Sequence, residues 1–468
     1  MFERVETGMK ADLDWVVKSV KGQVLTGDAN GMVSSVSTDS RNINQGALFI
    51  ALKGERFDGH DYLLQVQELG ARAVIVSRAE AIPDDFAACA ILVEDTLQAL
   101  QDLAAAYRRL FSIPVIGVTG SVGKTTTRDI LALCLSSQYY TLQSEGNYNN
   151  EIGLPLTLLR MNEEHQVAVV ELAMRAPGEI DELAAIAEPD YAIITGVEPV
   201  HLETMGSIEN IARAKTEILA HIPEDGFALL NGDSRLLLEA AEHYPCRQYR
   251  FGFSPDCEFC IMDIQVHLDG ILFNLRLFDQ SSEVFFPVPA ARLAPNVAAA
   301  VGMAFLLGIS LENIHTALKE YKPSGSRLRL VELEKGGLVI DDSYNANPLS
   351  MQVALDLCRD LAAGRRKVAV LGDMFELGSY EKEGHWMVGQ YTVHTGMDVL
   401  LTIGERARWI AEGAREAGMR PENIHVFIDR TEAQAWINKH VGKEDIVVFK
   451  ASRGMHMEEI LAAWMAED

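Results

Sequence analysis

The chain of 468 residues is 48% hydrophobic and 23% charged, a balance typical of a folded globular protein and not of a disordered one. Acidic residues outnumber Lys and Arg by 67 to 41, which gives a formal net charge of −26. This charge argues against a general nucleic-acid-binding protein, because little would neutralise the phosphates. At about 150 residues per domain, the length predicts three domains.

The sequence contains no evident targeting or membrane signal. No basic segment followed by an apolar stretch opens the chain, so we predict no signal peptide. The longest apolar run, Val297–Ile309, is shorter than the ~20 residues that span a bilayer, and the preceding Pro295-Asn296 predicts a buried helix. Cys257-x-x-Cys260 lacks the second pair that a zinc site needs. We therefore expect a cytoplasmic protein without membrane insertion.

The predicted elements fall into three groups in chain order. Residues 1–112 contain short strands and end in an amphipathic helix, and residues 113–322 open with a buried strand, a Gly-rich turn and a helix. In residues 323–468 strands alternate with helix-length segments, which predicts a parallel, doubly wound sheet. A hinge is predicted at Pro323–Ser326. The predicted strands are Ala47–Leu52, Ala73–Val76, Ile91–Val93, Ile113–Val118, Gln166–Glu171, Tyr191–Thr195, Leu338–Asp341, Lys367–Leu371, Val399–Ile403, Ile424–Ile428 and Ile446–Phe449.

A phosphate-binding loop is predicted between the strand Ile113–Val118 and the next helix. Its glycines let backbone N–H groups approach phosphates, Lys124 can reach the β- and γ-phosphates, and the Thr125 hydroxyl is placed to bind Mg²⁺. Val118 stands where the strict G-x₄-G-K-[ST] pattern has its first glycine. The loop predicts ATP or GTP binding and leaves kinase, GTPase, motor and ligase open. Its residues are Thr119, Gly120, Ser121, Val122, Gly123, Lys124, Thr125 and Thr126.

Lys215 is a second unusual feature. In the helix predicted to start near Ile208, it shares an apolar face with Ile211, Ile218 and Leu219. An isolated buried ammonium is costly, so this lysine must be paired, neutralised or modified, unless it extends its amine to solvent.

Across essentially its whole length the chain resembles the Mur ligases, which build the peptide of bacterial peptidoglycan. Two C-terminal motifs, with an Asn-rich segment, most resemble the branch that adds D-alanyl-D-alanine to UDP-N-acetylmuramoyl-tripeptide. The D-N-P-R-like motif of the sister branch, which adds the third amino acid, is not found. The motifs that carry the resemblance are the phosphate loop, Glu145–Thr157, Glu171, His201–Glu203, Ala214–Glu217, Asn231–Asp233, Asp342–Pro348 and Gly372–Gly378.

The chain also departs from the family pattern in three segments. Gly196 and Glu198 fall in the segment where the family tends to read I-T-N-V-G-x-A-H. Ala173 replaces the glycine of the family's E-M-G, and Asn296 follows a proline where the family commonly has a histidine. These departures leave the loop geometry around the metals open.

The resemblance implies the fold and the cofactors. We expect an α/β protein of three domains: a small N-terminal α/β domain that binds the UDP-sugar (1–112), a central P-loop ATPase-like domain with a mostly parallel sheet (113–322), and a C-terminal Rossmann-like doubly wound domain (323–468). ATP and two Mg²⁺ ions are implied, and a monomer is expected.

The resemblance also assigns roles to individual residues. The implied catalytic residues are Lys124, Lys215, His201 and Arg327. The implied metal ligands are Thr125, Glu171, His201 and a carbamylated Lys215. The implied ATP contacts are residues 119–126, Asn296 at the adenine, Arg327 at the γ-phosphate, Asp342, Tyr344 and Asn345. The implied UDP-sugar contacts are Ser37, Thr38, Asp39, Ser40, Arg41, Lys53, Gly59, His60, Asn147, Asn149 and Asn150.

The implied reaction is amide formation through an acyl phosphate, with the tripeptide carboxylate attacking ATP and the amine of D-alanyl-D-alanine displacing phosphate. The alternatives left open are a sister ligase adding another amino acid, a folate-polyglutamate-type relative, a P-loop GTPase or kinase, and an inactive nucleotide-binding scaffold. The sequence does not distinguish a tripeptide ending in lysine from one ending in diaminopimelate.

Overall fold

The computed structural model describes residues 8–54, 57–199, 202–267, 269–322 and 328–466. The predicted hinge Pro323–Ser326 lies outside them. Within the described residues the strands form three main sheets and one small one, which confirms the expected three-part α/β architecture.

The N-terminal sheet has five strands in the order β2-β7-β6-β5-β4, parallel except for β2. β1 and β3 form a separate antiparallel pair. Helix α3 packs against α1 and also against α5 and α6 of the central part, so it connects the two parts. The elements are β1 (Ala11–Asp12), α1 (Leu13–Ser19), β2 (Gln23–Thr26), β3 (Met32–Val33), β4 (Val36–Ser37), β5 (Leu48–Ile50), α2 (Leu63–Glu68), β6 (Ala73–Val76), β7 (Cys89–Leu92), α3 (Thr96–Arg108), and, in the central part, α5 (Gly153–Leu158) and α6 (Glu179–Ala187).

The central sheet has nine strands in the order β16-β15-β14-β13-β12-β11-β8-β10-β9. Strands β9 to β14 and β8 are parallel, and β14, β15 and β16 are antiparallel. Strands β8 and β10 are buried along their whole length, as expected for parallel strands covered by helices on both faces. The remaining elements are β8 (Val115–Thr119), α4 (Lys124–Ser136), β9 (Thr141–Gln143), β10 (Val167–Glu171), β11 (Tyr191–Ile194), α7 (Leu202–Met205), α8 (Ile208–Thr216), β12 (Phe227–Asn231), α9 (Arg235–Ala241), β13 (Arg247–Gly252), β14 (Phe259–His267), β15 (Gly270–Leu277), β16 (Gln280–Phe286), α10 (Ala294–Leu306) and α11 (Leu311–Lys319).

The C-terminal sheet has six strands in the order β17-β18-β22-β19-β20-β21, parallel except for β17. Helix α12 begins with Pro348 behind a capping box of Asn347 and Ser350, which satisfies amides that would otherwise lack partners. The elements are β17 (Arg329–Glu332), β18 (Leu338–Asp341), α12 (Pro348–Asp360), β19 (Lys367–Gly372), α13 (Glu381–His394), β20 (Val399–Ile403), α14 (Arg408–Glu416), β21 (Ile424–Phe427), α15 (Arg430–His440), β22 (Ile446–Lys450) and α16 (Met457–Ala466).

The apolar run Val297–Ile309 forms most of α10, as predicted, and its alanines lie in the core beneath β12–β15. Among the helices of the described residues, none combines the length and apolar character that crossing a membrane requires.

Candidate active site

The phosphate loop joins β8 to α4 at the carboxyl edge of the central sheet, between the neighbouring strands β10 and β11. Open α/β sheets bind ligands at this edge. Gly120 has φ 141° and Gly123 has φ 87°, and a Cβ at these positions would lie 1.9 Å from Thr195 Oγ1 and 2.1 Å from Asn296 Nδ2. The loop therefore requires glycine at both positions.

Two hydrogen bonds join the phosphate loop to the segment that follows β11. Thr195 Oγ1 donates to the Val122 carbonyl at 2.6 Å, and the Ser121 N–H donates to the Gly196 carbonyl at 3.0 Å. Gly123 is the N-cap of α4 and provides no side-chain cap. Lys124 Nζ lies over the loop, 2.8 Å from the Gly120 carbonyl. Amides and an ammonium arranged in this way suit a polyphosphate.

Two of the predicted metal ligands meet beside the loop. Thr125 Oγ1 lies 2.9 Å from Glu171 Oε2, at the end of β10, and both side chains are buried. Asn149 Nδ2 donates to Glu171 Oε1 at 2.8 Å, and Arg128 Nη1 lies 3.2 Å from Glu171 Oε2. Hydroxyl and carboxylate oxygens are donors that Mg²⁺ prefers, so these residues fit the implied ion. The third predicted ligand, His201, lies outside the described residues.

Lys215 lies on α8 and is 1% exposed. No hydrogen bond or ion pair joins its amine to a described residue. Burial, and then the positive charge of Lys124, hold the pKa of Lys215 well below its ordinary value, and the nearby Glu217 offsets this only in part. The side chain is therefore a buried amine close to the phosphate loop whose environment favours the uncharged form.

Asn296 is connected directly to the loop helix. Its Nδ2 donates to Thr127 Oγ1 at 3.0 Å and lies 3.4 Å from the Gly123 carbonyl. Asn231, at the end of β12, donates to the Thr195 carbonyl at 2.9 Å and so supports the loop from the other side. The predicted adenine contact of Asn296 remains a prediction.

The C-terminal residues predicted to contact nucleotide gather at the ends of β18 and β22. Asp342 Oδ2 lies 2.5 Å from Lys450 Nζ, and Lys450 also donates to the Asn345 carbonyl at 2.8 Å. Both members of this pair are buried. The Arg453 guanidinium lies 5.8 Å from the centre of the Tyr344 ring. The predicted γ-phosphate contact, Arg327, lies outside the described residues.

The segment Gly372–Gly378 follows β19 at the same edge. The Phe375 N–H donates to Ser452 Oγ at 2.8 Å, and the Arg406 guanidinium stacks on the Phe375 ring at 5.0 Å. Asp373 accepts from the Ala407 N–H at 2.7 Å, and burial raises the pKa of its carboxyl. This second motif is therefore held rigidly beside the ends of β20 and β22.

The N-terminal residues predicted to bind the UDP-sugar form a separate group. Arg41 pairs with both Asp39 oxygens at 2.9 and 2.8 Å, which lowers the pKa of Asp39 to about 2. Ser37 Oγ donates to the Asp39 carbonyl at 3.1 Å. Thr38 and Ser40 are half-buried, whereas Lys53 is exposed and pairs through its backbone with residue 58.

Both ring nitrogens of His60 are used within the protein. Nε2 accepts from the Ser77 N–H at 3.0 Å, so Nδ1 carries the proton donated to Asp58 at 2.6 Å. Gly59 lies so close to the strand β5 that a Cβ would be 2.8 Å from Ala51 Cα. These two predicted contacts support the local fold, and their role in sugar binding remains a prediction.

Of the predicted Asn-rich segment, the structure groups Asn149 with Glu171 rather than with the N-terminal residues. Asn150 Oδ1 accepts the Gly153 N–H at 2.9 Å and starts α5, whereas Asn147 is exposed.

Arg128 and Lys450 are site residues that no sequence motif indicates. Each is a buried cation paired with a carboxylate of the site. Their only signal in the sequence was position: Arg128 follows Lys124 by one helical turn, and Lys450 ends an apolar strand.

With fold and geometry in place, comparison with known proteins identifies the class. Residues 32–108 match the Mur ligase family catalytic domain, residues 118–304 the Mur ligase middle domain, and residues 326–453 the Mur ligase glutamate ligase domain. The chain belongs to the Mur ligase family and is an ATP-dependent ligase.

Individual relatives are named for one particular reaction within this family. The chain is 38% identical, over 92% of its length and 93% of the relative's, to the UDP-N-acetylmuramoyl-tripeptide–D-alanyl-D-alanine ligase of Bacillus subtilis (strain 168). A crystal structure of MurF from Acinetobacter baumannii matches with a TM-score of 0.88 and 32% identity, covering 98% of this chain and 100% of that one. MurF ligase from Thermotoga maritima in complex with ADP matches at 0.80 and 29% identity, covering 92% and 97%.

Proposed function

We propose that this chain couples D-alanyl-D-alanine to UDP-N-acetylmuramoyl-tripeptide with ATP, giving ADP, phosphate and UDP-N-acetylmuramoyl-pentapeptide. The observation that carries this proposal is the similarity over nearly the whole chain to relatives named for this reaction. The proposal is also supported by the segments Asp342–Pro348 and Gly372–Gly378, which resemble the dipeptide-adding branch. They lie at the carboxyl ends of β18 and β19.

The site residues act mainly by binding and orientation. The amides at the start of α4 and Lys124 hold the polyphosphate, and Arg327 contacts the γ-phosphate. The tripeptide carboxylate attacks that phosphorus and ADP leaves. The amine of D-alanyl-D-alanine then attacks the acyl phosphate, and phosphate is a far better leaving group than hydroxide. The site must exclude water while the acyl phosphate exists.

We further propose that Thr125, Glu171, His201 and a carbamylated Lys215 hold two Mg²⁺ ions. Bound there, Mg²⁺ would screen the carboxylate from the polyphosphate. The adjacent oxygens of Thr125 and Glu171 support the first ion. The lowered pKa of the buried Lys215 amine supports the second, since only a neutral amine can add CO₂ and become a carboxylate-bearing ligand.

The remaining assignments follow the same resemblance. ATP also contacts Asn296, Asp342, Tyr344 and Asn345, and the UDP-sugar is bound by residues 37–41, Lys53, Gly59, His60 and the Asn-rich segment. The proposed domains are 1–112, 113–322 and 323–468, in a monomer. All six cysteines are free thiols and buried, which fits a reducing compartment, so we propose the cytoplasm.

The test is a screen of amines in the presence of ATP and UDP-N-acetylmuramoyl-tripeptide. We expect phosphate release to depend on D-alanyl-D-alanine, and free lysine or diaminopimelate not to replace it, because a site without partners for a second charged head group rejects it strongly. The product is identified by mass. A product carrying one diamino acid, with none carrying two alanines, would assign the chain to the sister activity.

A further inference from the structure

Arg292 makes an extensive contact between the central and C-terminal parts of the molecule. It lies in the turn between β16 and α10 and reaches helices α12 and α13. Its Nε lies 2.7 Å from Asp356 Oδ2, its Nη1 3.3 Å from Gln352 Oε1, and its Nη2 2.8 Å from Tyr391 Oη. Tyr391 Oη in turn donates to Asp356 Oδ1 at 2.7 Å. Arg292, Asp356 and Tyr391 thus form a closed hydrogen-bonded ring to which Gln352 is attached, and we call these four side chains the Arg292 bridge.

The bridge is better placed to fix an orientation than an ordinary surface ion pair. The Asp356 side chain is 14% exposed and that of Arg292 is 34% exposed. The guanidinium binds three groups with its planar fork and lies 5.5 Å from the centre of the Tyr391 ring, so both distance and direction are constrained. By contrast, Arg175 and Glu376, which also join the two parts, are 4.0 Å apart and largely exposed, a geometry of little energetic value.

One end of the bridge is tied to the phosphate loop by two routes. Arg292 precedes Asn296 by one helical turn, and Asn296 is bonded to Gly123 and Thr127. Burial raises the pKa of Glu198, and the positive charge of Arg292 offsets part of this rise, so the two groups interact electrostatically. Glu198 in turn binds Ser121 of the loop through both its N–H, at 2.9 Å, and its carbonyl, at 3.1 Å.

The other end is tied to the C-terminal motifs. Helix α12 starts at the last residue of the motif Asp342–Pro348, and α13 starts at Glu381, shortly after Gly372–Gly378. In the same arrangement the turn Gly378–Tyr380 packs against α7 of the central part. A bridge that fixes α12 and α13 therefore fixes where both motifs stand relative to the phosphate loop.

We infer that Arg292 is a positioning residue for ligation: it holds the C-terminal part in the orientation that brings its motifs to the phosphate loop. It acts through Asp356, Gln352 and Tyr391 and need not touch a substrate. The inference rests on the proposed ligase activity for its kinetic consequence. The orientation itself can be measured without turnover.

The experiment compares Arg292→Gln and Arg292→Lys with a matched control, Arg359→Gln. Arg359 Nη1 lies 2.9 Å from the same carboxylate, Asp356 Oδ1, but belongs to α12 itself. Its removal therefore takes one arginine from Asp356 without cutting the connection between the two parts. Relative orientation is followed by energy transfer between dyes on Glu242→Cys and Lys439→Cys, both exposed, while the native cysteines are buried. Thermal melting checks that each variant is folded.

We expect Arg292→Gln to lower kcat at least about tenfold, to change the energy-transfer distribution, and to leave ADP affinity within about threefold of the parent. Arg292→Lys keeps the positive charge but not the planar guanidinium, so its kcat and energy-transfer distribution should lie between those of the parent and Arg292→Gln. Arg359→Gln should match the parent in both. The inference is overturned if Arg292→Gln matches Arg359→Gln, or if either kcat or orientation changes without the other. If the parent does not ligate D-alanyl-D-alanine, the proposed function fails, whereas the bridge is still tested by energy transfer: equal distributions for Arg292→Gln and Arg359→Gln would overturn it.

Discussion

At the scale of single residues, Lys215 is the residue whose protonation is most affected by its surroundings. Its pKa is lowered by burial and by Lys124, and both effects favour the uncharged amine in the folded protein. A lowered lysine pKa means that stability falls as pH falls from the unfolded pKa toward the folded one, because the unfolded chain then takes up a proton that the buried amine does not. Conversion to a carbamate would remove this liability and supply a carboxylate.

We predict that Lys215→Ala is nearly inactive and is partly restored by short carboxylic acids such as acetate, which fill the space of the carbamate. The measurement is phosphate release against acid concentration. The control is Lys124→Ala, where the missing ammonium cannot be replaced by a carboxylate and no restoration is expected. Equal restoration of both variants, or none in Lys215→Ala at any concentration, would argue against a carbamate.

Residue roles could be predicted from the sequence only where a local pattern of residues indicated them. The phosphate loop was visible because glycines, lysine and threonine stand at fixed spacing between a strand and a helix. Arg128 and Lys450 were not, because each becomes a site residue through a carboxylate 43 or 108 positions away in the chain. Spacing carries no information about such partners.

At the scale of elements, the start of α4 gives a clean test. We predict that Gly123→Ala abolishes ATP binding, because Gly123 has φ 87° and the added methyl would lie 2.1 Å from Asn296 Nδ2. Gly178→Ala is the matched control: it also caps a helix, with φ 89°, but has no atom within 4 Å of the added Cβ. Both variants carry backbone strain of about 1–2 kcal/mol.

We therefore expect only Gly123→Ala to lose its affinity for nucleotide, as measured by calorimetric titration with ADP. Similar affinity in the two variants would show that the contact between loop and α10 is not needed.

The elements themselves were predictable in proportion to their burial. Parallel strands such as Ala73–Val76, Leu338–Asp341 and Val399–Ile403 were located to the residue, because covered strands are continuous apolar runs. The antiparallel strands β14–β16 were not singled out, since one face of β14 and β16 is exposed and their apolar runs are interrupted. The bridge of Arg292 could not be foreseen either, because it depends on how two sheets are packed.

At the scale of the whole molecule, the net charge of −26 opposes the approach of anionic substrates. We predict that kcat/KM for UDP-N-acetylmuramoyl-tripeptide rises as NaCl is raised from low concentration to about 0.15 M, where the Debye length is about 8 Å. The KM for D-alanyl-D-alanine, which carries no net charge, should change less. A fall in kcat/KM for the UDP substrate over this range would show that local cations dominate the approach.

The buried pair of Asp342 and Lys450 joins two strands that are neighbours in the sheet but lie 108 residues apart in the chain. Strand β22, which ends in Lys450, sits in the middle of the C-terminal sheet, between β18 and β19. During synthesis the earlier strands emerge first and must leave a gap until β22 arrives. The edge of the sheet that carries Asp342 and Lys450 therefore cannot be completed before residue 450 has left the ribosome, and a growing chain stays inactive until then.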